Sequence, residues 1–292
     1  MRNSENIIAE WLGNEMNIPF SSVHLHAIGG GSINDTFRVT IDSGRQFFLK
    51  LNSARKYPAL FEKEINGLAI LGQQKIFPVP NVVLSKTVED TQLLLLEWIG
   101  TGIMDRNFWQ SFGEQLAQLH LVTHEQFGFY EDNFMGALPQ INTLTNNWTD
   151  FFVLRRLHPQ IKLATENHLL QQKHINAFEK LEGKLKNIFN EEQPSLLHGD
   201  LWSGNYMCNS NSQPVLIDPA VYFGHRSMDL AMTTLFGGFD KYFYDAYHYH
   251  YPFPSGYTAQ WEICNLYPLL IHLNLFGMSY QKQVDNILKK FS

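Results

Sequence analysis

The chain has 292 residues, of which 44% are hydrophobic and 17% charged, a composition typical of a globular protein with roughly two domains. Its 22 basic and 28 acidic side chains give a formal charge of −6, so net charge provides no attraction to nucleic acid or anionic membranes. Cys208 and Cys264 lie far apart in the chain, which argues against a disulfide scaffold or a thiolate zinc site and favours a reducing compartment.

The N-terminal segment carries polar residues where a secretory peptide needs an apolar core. No apolar run approaches the roughly 20 residues of a membrane-spanning helix. We therefore expect a cytoplasmic protein with neither a membrane nor a nucleic-acid partner. The sequence does not set the oligomeric state, and a monomer is favoured.

Residues up to about Leu96 predict two helices and two β-hairpins. The leading helix rests on apolar residues at helical spacing, namely Ile7, Ile8, Trp11 and Leu12. The hairpins rest on β-like runs separated by short polar turns, at 37–41 with 46–51 and at 82–84 with 92–96. The second helix begins near Leu60 and should end at Gly72, because glycine is common at helix ends.

Beyond Gly102 the periodicity is mostly helical. The longest candidate helices lie at 108–119, 148–163, 168–189 and 260–291. Two segments interrupt them, 128–141 and 196–217, and the second should form a loop followed by two short strands. The sequence predicts an α+β protein with a β-rich lobe at 1–96, a linker at 97–101 and a mainly helical lobe at 102–292.

The densest polar cluster runs from His198 to Asn205, with the sequence HGDLWSGN, and Asp218 follows the next predicted strand. If 206–207 pairs with 215–217 around the intervening turn, Asn205 and Asp218 lie at the same open end of a hairpin. Their side-chain oxygens are ligands that Mg²⁺ prefers, with waters and phosphate oxygens completing the octahedron. The pattern therefore predicts a magnesium site.

Asp200 precedes Asn205 by five residues and should lie at the lip of the same hairpin. There it could accept the proton of a substrate hydroxyl without holding the metal. Kinases use an Asp-x4-Asn loop and a later Asp in this way, because the loose transition state of phosphoryl transfer needs mainly positioning and charge neutralisation.

A candidate phosphate-binding loop lies between two predicted strands and consists of Gly29, Gly30, Gly31 and Ser32. Glycines let backbone amides approach phosphate oxygens, although three glycines without the G-x-G-x-x-G spacing are more often a plain turn.

Lys50 lies inside an apolar strand, and a buried ammonium demands an anionic partner, which Glu64 on the following helix can provide. The alternatives are a lysine that reaches solvent from an edge strand and a solvated helix face. Glu97, Trp98 and Ile99 join the two predicted lobes, where backbone amides would meet the edge of an adenine; Trp98 is alternatively a core residue.

The run from Leu197 to Asn205 resembles the fructosamine kinase, or ketosamine-3-kinase, family of the aminoglycoside-phosphotransferase-like protein-kinase fold. Similar family patterns occur at 29–34, 48–52, 127–134, 217–220 and 229–239, so the resemblance spans about residues 20 to 280. It implies a bilobal fold, with a small antiparallel β-sheet lobe carrying one helix and a larger helical lobe. The implied reaction uses ATP and Mg²⁺ to phosphorylate the sugar 3-hydroxyl of a ketosamine, either a fructosamine or a ribulosamine. The ketosamine is a small molecule or is bound to a protein, and its phosphorylation allows the amine to be recovered.

Carried onto this chain, the resemblance implies that Asp200 orients or deprotonates the hydroxyl. It implies that Asn205 and Asp218 hold the metal, and that Lys50 contacts phosphate while Glu64 tethers it.

The resemblance further implies supporting roles for His198, as an orienting hydrogen-bond partner, and for Asp229, as a brace of the catalytic loop. A catalytic role for His198 is the less favoured alternative. Trp202 would line the sugar or amine site, or only pack. Asp132 and Asn133 belong to a family loop that reaches the cleft, where they would contact substrate.

The chain departs from the family pattern at three positions. Ser227 and Thr234 stand where the family usually has glutamates, and Ser32 replaces a frequent cysteine of the phosphate loop. The two missing acids are not among Asp200, Asn205 and Asp218, so we still expect an active enzyme. The sequence does not decide how their absence affects local ion pairing and the choice of substrate.

Other functions are also compatible with the sequence. One is a kinase of the same fold acting on an aminoglycoside, choline or another amino alcohol; others are a non-catalytic nucleotide-binding protein and a metal-dependent hydrolase. A metal site at His248 and His250 is disfavoured, because no third ligand is near in the sequence and aromatic residues surround the pair.

Overall fold

The computed structural model of the protein describes residues 2–29 and 33–292 and contains both helices and antiparallel sheet. The chain divides into two compact units. The first consists of Met1–Ile65 and Pro80–Gly100, and the second of Asn66–Val79 and Thr101–Ser292.

The first unit is built on one five-stranded antiparallel sheet with the order β1-β2-β3-β5-β4. Its strands are β1 (Val23–Ile28), β2 (Asp35–Ile41), β3 (Gln46–Ser53), β4 (Val82–Val88) and β5 (Thr91–Glu97). The helices that begin in this unit are α1 (Arg2–Met16) and α2 (Leu60–Gln73). Both predicted hairpins are confirmed, and β1 pairs along the outer edge of β2.

Alternation along β3 separates the two faces of the sheet. Leu49 and Leu51 pack in a core with Leu12 of α1, as the apolar spacing of the leading helix predicted. Lys50, between them in sequence, points to the other face, where its ammonium meets Glu64 of α2. Strand β3 is central in the sheet, so Lys50 is not an edge residue.

The second unit is mainly helical, with three short two-stranded antiparallel sheets between the helices. Its helices are α3 (Arg106–His120), α4 (Trp148–Phe151), a π-helix (Phe152–Leu157), α5 (His158–Glu166), α6 (Gln172–Glu182), α7 (Leu185–Ile188), α8 (Ser227–Met232), α9 (Lys241–His250), α10 (Tyr257–Cys264), α11 (Leu266–Phe276) and α12 (Gln281–Phe291). Its strands are β6 (Asn133–Met135), β7 (Leu138–Gln140), β8 (Ser195–Leu197), β9 (Tyr206–Cys208), β10 (Pro214–Leu216) and β11 (Tyr222–Gly224).

Two of the long helices predicted from periodicity are broken. The run 168–189 divides into α6 and α7 after Gly183, and the run 260–291 divides at Asn265 and again at Gly277, whose φ is +86°. Helical spacing continues across each break, but the backbone turns so that each piece packs separately. Helices α8 and α9 were not predicted.

Residues 66–79 belong to the second unit, although the sequence placed them in the first predicted lobe. The reason is packing: Leu71 and Phe77 are part of the second unit's core, and the Phe77 ring lies 5.6 Å from that of Phe112. The passage between the units at Gly100 and Thr101 lies inside the predicted linker. In the described part of the chain, every helix is too short or too polar to cross a bilayer.

Candidate functional site

The hairpin predicted after the polar cluster is present, with β9 and β10 antiparallel and Tyr206 opposite Leu216. One step beyond that pair, the Ile217 amide donates to the Asn205 carbonyl at 3.2 Å. Asn205 and Asp218 therefore lie at the same open end of the hairpin, as the register of an antiparallel pair requires.

Asp200 meets Asn205 at this end. The Asn205 Nδ2 donates to both the backbone oxygen and the Oδ2 of Asp200, each at 2.8 Å. Because the amide NH₂ is directed at Asp200, the Oδ1 of Asn205 is the atom that can ligate a cation.

The segment after Asp218 packs tightly against residues 198–205, the predicted catalytic loop. Asp218 itself has φ +53°, a region that non-glycine residues rarely occupy. The Ala220 amide donates to the His198 carbonyl at 2.8 Å, and a Cβ at Gly199, where φ is +84°, would lie 2.0 Å from the Ala220 oxygen. Only glycine fits at position 199, which explains the Gly of the His-Gly-Asp motif.

The carboxyl of Asp200 lies in an unusual electrostatic environment. Burial and then the negative charge of Asp218 raise the pKa of Asp200 to about 7, against the lowering effect of the Asn205 hydrogen bond. A divalent cation bound at Asp218 would oppose this shift by neutralising the negative charge that acts on Asp200.

The donor set fits a hard cation. Asp218 and Asn205 offer one carboxylate and one carboxamide oxygen, which leaves most positions of an octahedron to waters and phosphate oxygens. Within residues 2–29 and 33–292, no group of three or more His, Cys, Asp and Glu side chains is arranged to hold a metal. His248 and His250, on helix α9, accordingly have no third ligand of these types among the described residues.

Asp229 lies under the catalytic loop and is 1% exposed. Its Oδ2 accepts from the His198 amide at 2.8 Å, and its Oδ1 accepts from the Gly199 amide at 2.9 Å. Helix α8, which carries Asp229, thereby holds the backbone that leads into Asp200.

His198 is fully buried, and both of its ring nitrogens face backbone groups. Nε2 donates to the Ile217 carbonyl at 2.9 Å, and Nδ1 accepts from the Asp200 amide at 3.2 Å. Burial lowers the pKa of His198, which favours this neutral form. The ring links the segments that carry Asp200 and Asp218.

His120 and Tyr247 extend this support and were missed in the sequence. The His120 Nε2 donates to the Oδ2 of Asp229 at 3.2 Å, while Nδ1 lies 2.8 Å from the Tyr247 hydroxyl. A signal was available: His120 follows Leu116 by four residues, so it continues the buried face of α3.

Trp202 packs close to the loop backbone and is partly exposed. A Cβ at Gly204 would lie 2.4 Å from its ring, and Phe236 meets that ring edge-on with centroids 5.8 Å apart. Phe236 in turn lies 4.7 Å from the ring of His272. Trp202, which follows Asp200 by two residues, therefore belongs to a group of packed aromatic rings with Phe236 and His272.

Asp132 and Asn133 differ in their exposure and in their hydrogen bonds. Asp132 is exposed and accepts from the Asn142 amide at 2.7 Å. Asn133 is 6% exposed; its Nδ2 donates to the Val221 carbonyl at 2.8 Å, and its Oδ1 accepts from Gln140 at 2.8 Å. The Asn133 carboxamide is thus engaged inside the protein, which corrects the expectation that it faces substrate.

Neutral hydrogen bonds occupy the two positions where family glutamates are missing. Ser227 donates to the Gln260 Oε1 at 3.0 Å, and Thr234 accepts from the Asn265 Nδ2 at 3.1 Å. In the described part of the chain, neither hydroxyl is bonded to Asp200. The two hydroxyls are therefore paired with the neutral carboxamides of Gln260 and Asn265.

In the first unit, the Lys50 ammonium donates to the Glu64 Oε1 at 2.7 Å. The Lys50 side chain is 3% exposed and that of Glu64 11%. The interpretation of Lys50 as a lysine that reaches solvent is wrong, and so is that of Glu64 as a residue of a solvated face.

The predicted nucleotide-contact residues are described in part. Gly29 is exposed, whereas Gly30, Gly31 and Ser32 lie outside the described residues. Glu97 ends β5, and its carboxylate accepts from the Asn81 Nδ2 at 2.7 Å. The Trp98 ring lies 5.8 Å from the Arg38 guanidinium, and Ile99 follows it in the half-buried connection.

Comparison of the sequence with known proteins identifies one family. The sequence profile described as Fructosamine kinase matches residues 4–292. A protein named probable ketoamine kinase from Lactiplantibacillus plantarum is 39% identical over 277 residues, covering 94% of this chain and 96% of its own. The chloroplastic protein-ribulosamine 3-kinase of Arabidopsis thaliana is 34% identical over 294 residues, covering 99% and 88%.

Solved structures identify the fold. A Thermobifida fusca protein assigned as a fructosamine-3-kinase superposes with a TM-score of 0.82 at 32% identity, over 91% of this chain and 93% of its own. An aminoglycoside-3'-phosphotransferase of type VIII superposes with a TM-score of 0.54 at 16% identity, over 89% and 98%. The predicted α+β protein-kinase-like fold is confirmed, and the chain belongs to the fructosamine kinase family.

Proposed function

We propose that this protein transfers the γ-phosphoryl group of ATP to the 3-hydroxyl of a ketosamine sugar. The acceptors are fructosamines and ribulosamines, carried on a small amine or on a protein. Membership of a kinase family supports phosphoryl transfer to a ketosamine; the nucleotide, the metal and the position on the sugar are parts of the proposal.

Asp200 and Asn205 have different roles in the proposed transfer. Asp200 orients the 3-hydroxyl and accepts its proton as the oxygen attacks the γ-phosphorus. The bond from that phosphorus to the β–γ bridging oxygen breaks, and ADP leaves with the electron pair. Asn205 keeps the Asp200 carboxylate in place through the NH₂ hydrogen bond of 2.8 Å.

Positive charge balances the phosphate oxygens in the proposed reaction. Asp218 and the Oδ1 of Asn205 would hold Mg²⁺, which when bound neutralises the charge of the phosphate oxygens. Lys50, oriented by Glu64, contributes a second positive charge to the phosphates.

Phosphorylation at the third carbon makes the adduct unstable, because phosphate leaves more readily than hydroxide. The amine is then released from the sugar. This outcome makes the proposed reaction a deglycation, in which a glycated amine is restored at the expense of one ATP.

One observation carries the proposal. Asp200, Asn205 and Asp218 come together on the loop and hairpin of a chain whose residues 4–292 match the fructosamine kinase family. The spacing and the antiparallel register both point to these three side chains.

The test is a substrate panel with MgATP. Fructosyl and ribulosyl derivatives of a blocked lysine are compared with an aminoglycoside and with choline, and ADP release is measured for each. The phosphorylated product is then examined by NMR. We expect turnover with at least one ketosamine and phosphate on the third carbon of its sugar.

Asp200→Asn is the matched control for background hydrolysis. ADP release with choline or the aminoglycoside but with no ketosamine would replace the proposal with a different acceptor class. Binding of MgATP without turnover of any acceptor would favour a non-catalytic nucleotide-binding protein, and phosphate release without an acceptor would favour hydrolysis.

The cytoplasmic location, the monomeric state and the lack of nucleic-acid and membrane partners stay predictions. Sedimentation of the purified protein tests the monomer directly, since a species near 33.8 kDa is expected.

A further inference from the structure

The backbone that follows Asp218 is held from two sides. On one side the Ala220 amide donates to the catalytic loop at the His198 carbonyl. On the other side, carboxamides from the β6–β7 hairpin donate to the next two carbonyls. The Gln140 Nε2 lies 3.0 Å from the Ala220 oxygen, and the Asn133 Nδ2 lies 2.8 Å from the Val221 oxygen.

These carboxamides are themselves fixed. The Oδ1 of Asn133 accepts from Gln140 at 2.8 Å and from Asn142 at 3.1 Å, and the Oε1 of Gln140 accepts from the Tyr267 hydroxyl at 3.0 Å. Gln140 is 1% exposed and Asn142 is fully buried. Each amide therefore has one orientation in which its donors and acceptors are satisfied.

Arg156 anchors the far end of the group. It is fully buried, and it lies in the π-helix, a conformation often found at functional sites. Its guanidinium donates to the Asn142 Oδ1 at 2.7 Å and to the Ile141 oxygen at 2.6 Å. The rings of Phe151 and Tyr222 flank its Cζ at 4.5 and 4.1 Å.

A buried guanidinium is costly to desolvate, and in the described part of the chain its hydrogen bonds go to carbonyl and carboxamide oxygens rather than to a carboxylate. The aromatic faces and the fixed oxygens offset that cost. Such an arrangement fixes the guanidinium of Arg156 in one position. The series of hydrogen bonds from Arg156 through Asn142 and Asn133 is therefore rigid up to the Val221 carbonyl.

We propose that Arg156, Asn142, Asn133 and Gln140 form a positioning network that holds the backbone at 219–221 and thereby keeps Asp218 in its metal-binding orientation. Asp218 has φ +53°, and such a conformation persists where the surroundings determine it. The inference rests on the proposed function, since it takes Asp218 as a ligand of Mg²⁺. Of the four residues, only Asn133 was expected to contact substrate, and its carboxamide is instead bonded inside the protein.

The test variant is Gln140→Met, which keeps the length of the side chain and removes its hydrogen bonds without adding charge. Gln260→Met is a closely matched control. Gln260 is also 1% exposed; its Nε2 donates to one carbonyl and one carboxamide oxygen, and its Oε1 accepts from a hydroxyl. Its partners belong to 188–190 and Ser227, away from the backbone at 219–221.

Two measurements are made on each protein. The Mg²⁺ concentration for half-maximal turnover should rise about 10-fold in Gln140→Met, as for other residues that orient metal ligands, and should not change in Gln260→Met. In the metal-free protein, amide hydrogen exchange of residues 217–223 should become about five-fold faster in Gln140→Met only.

Equal responses of the two variants, or no response of residues 217–223 in Gln140→Met, would overturn the network. If Gln140→Met does not fold, Tyr267→Phe replaces it, because this change removes only the hydroxyl that donates to Gln140 and should give a smaller shift in the same direction. If the wild-type protein phosphorylates no ketosamine, the proposed function fails, while hydrogen exchange still decides whether the network holds the backbone.

Discussion

The imidazole of His198 donates from Nε2 to the carbonyl oxygen of Ile217, 2.9 Å away and 19 residues later in the chain. This bond joins the loop that carries Asp200 to the residue that precedes Asp218. The buried ring therefore fixes the loop that carries Asp200 relative to the strand end that leads into Asp218.

His198→Phe should lower kcat/KM about 10- to 100-fold, because the ring no longer links the two segments. The shape of the pH profile should stay the same, since His198 acts by position and burial keeps it neutral. Rates measured from pH 5.5 to 9 check this. Loss of an acidic limb in the variant would instead identify His198 as the base.

Asp200→Asn should reduce kcat about 1,000-fold, as expected when a proton acceptor is removed, while the Kd for MgATP stays within about two-fold of wild type. Asparagine keeps the volume and can still accept from Asn205. Single-turnover kinetics and calorimetry separate the two quantities. Near-normal turnover would contradict the role given to Asp200.

Lys50 and Glu64 should act as a pair. Glu64→Gln should lower kcat/KM about 10-fold because the neutral side chain orients the ammonium less well, and the same change should have almost no effect in a Lys50→Met background. A double-mutant cycle on kcat/KM measures the coupling. Additive losses would show that Glu64 acts independently of Lys50.

Asp229→Asn should destabilise the fold by about 3 kcal/mol. The carboxylate accepts from the His198 and Gly199 amides, and an asparagine NH₂ in place of one oxygen would leave a buried donor without an acceptor. Urea unfolding of both proteins gives the free energy of unfolding. A change below about 0.5 kcal/mol would indicate that the loop is held by other contacts.

His225 should make stability depend on pH. Burial lowers its pKa to about 4, against the raising effect of Glu192, so between pH 6.5 and 4 the unfolded chain binds more protons than the folded protein. Stability is therefore full above pH 6.5 and falls as the pH decreases, by about 2 kcal/mol at pH 5 from this residue.

The comparison that isolates His225 is a His225→Gln variant. Its free energy of unfolding should fall less between pH 7 and pH 5 than that of the wild-type protein, measured in the same urea titrations. Identical pH dependence in the two proteins would show that the loss arises from other buried histidines.

How far the site could be predicted depended on distance along the chain. Asn205 and Asp218 flank a short hairpin, so strand alternation and turn residues were enough to bring them together. Lys50 and Glu64 lie 14 residues apart on neighbouring elements, and burial of the lysine made a carboxylate partner necessary. Asn133, in contrast, was assigned to substrate, because nothing local indicates that its amide bonds to Val221, 88 residues later.

The sequence by itself determined the hairpins, the leading helix and the order of the chemical groups, because these follow from side-chain periods of two and 3.6 and from turn residues within a few positions. Tertiary structure alone decided where the long helices break and which buried polar groups meet. Tyr267 reaches Gln140 across 127 residues, and His120 reaches Asp229 across 109. Such pairs depend on how whole helices pack, and a buried polar atom then takes whichever partner the packing brings within reach.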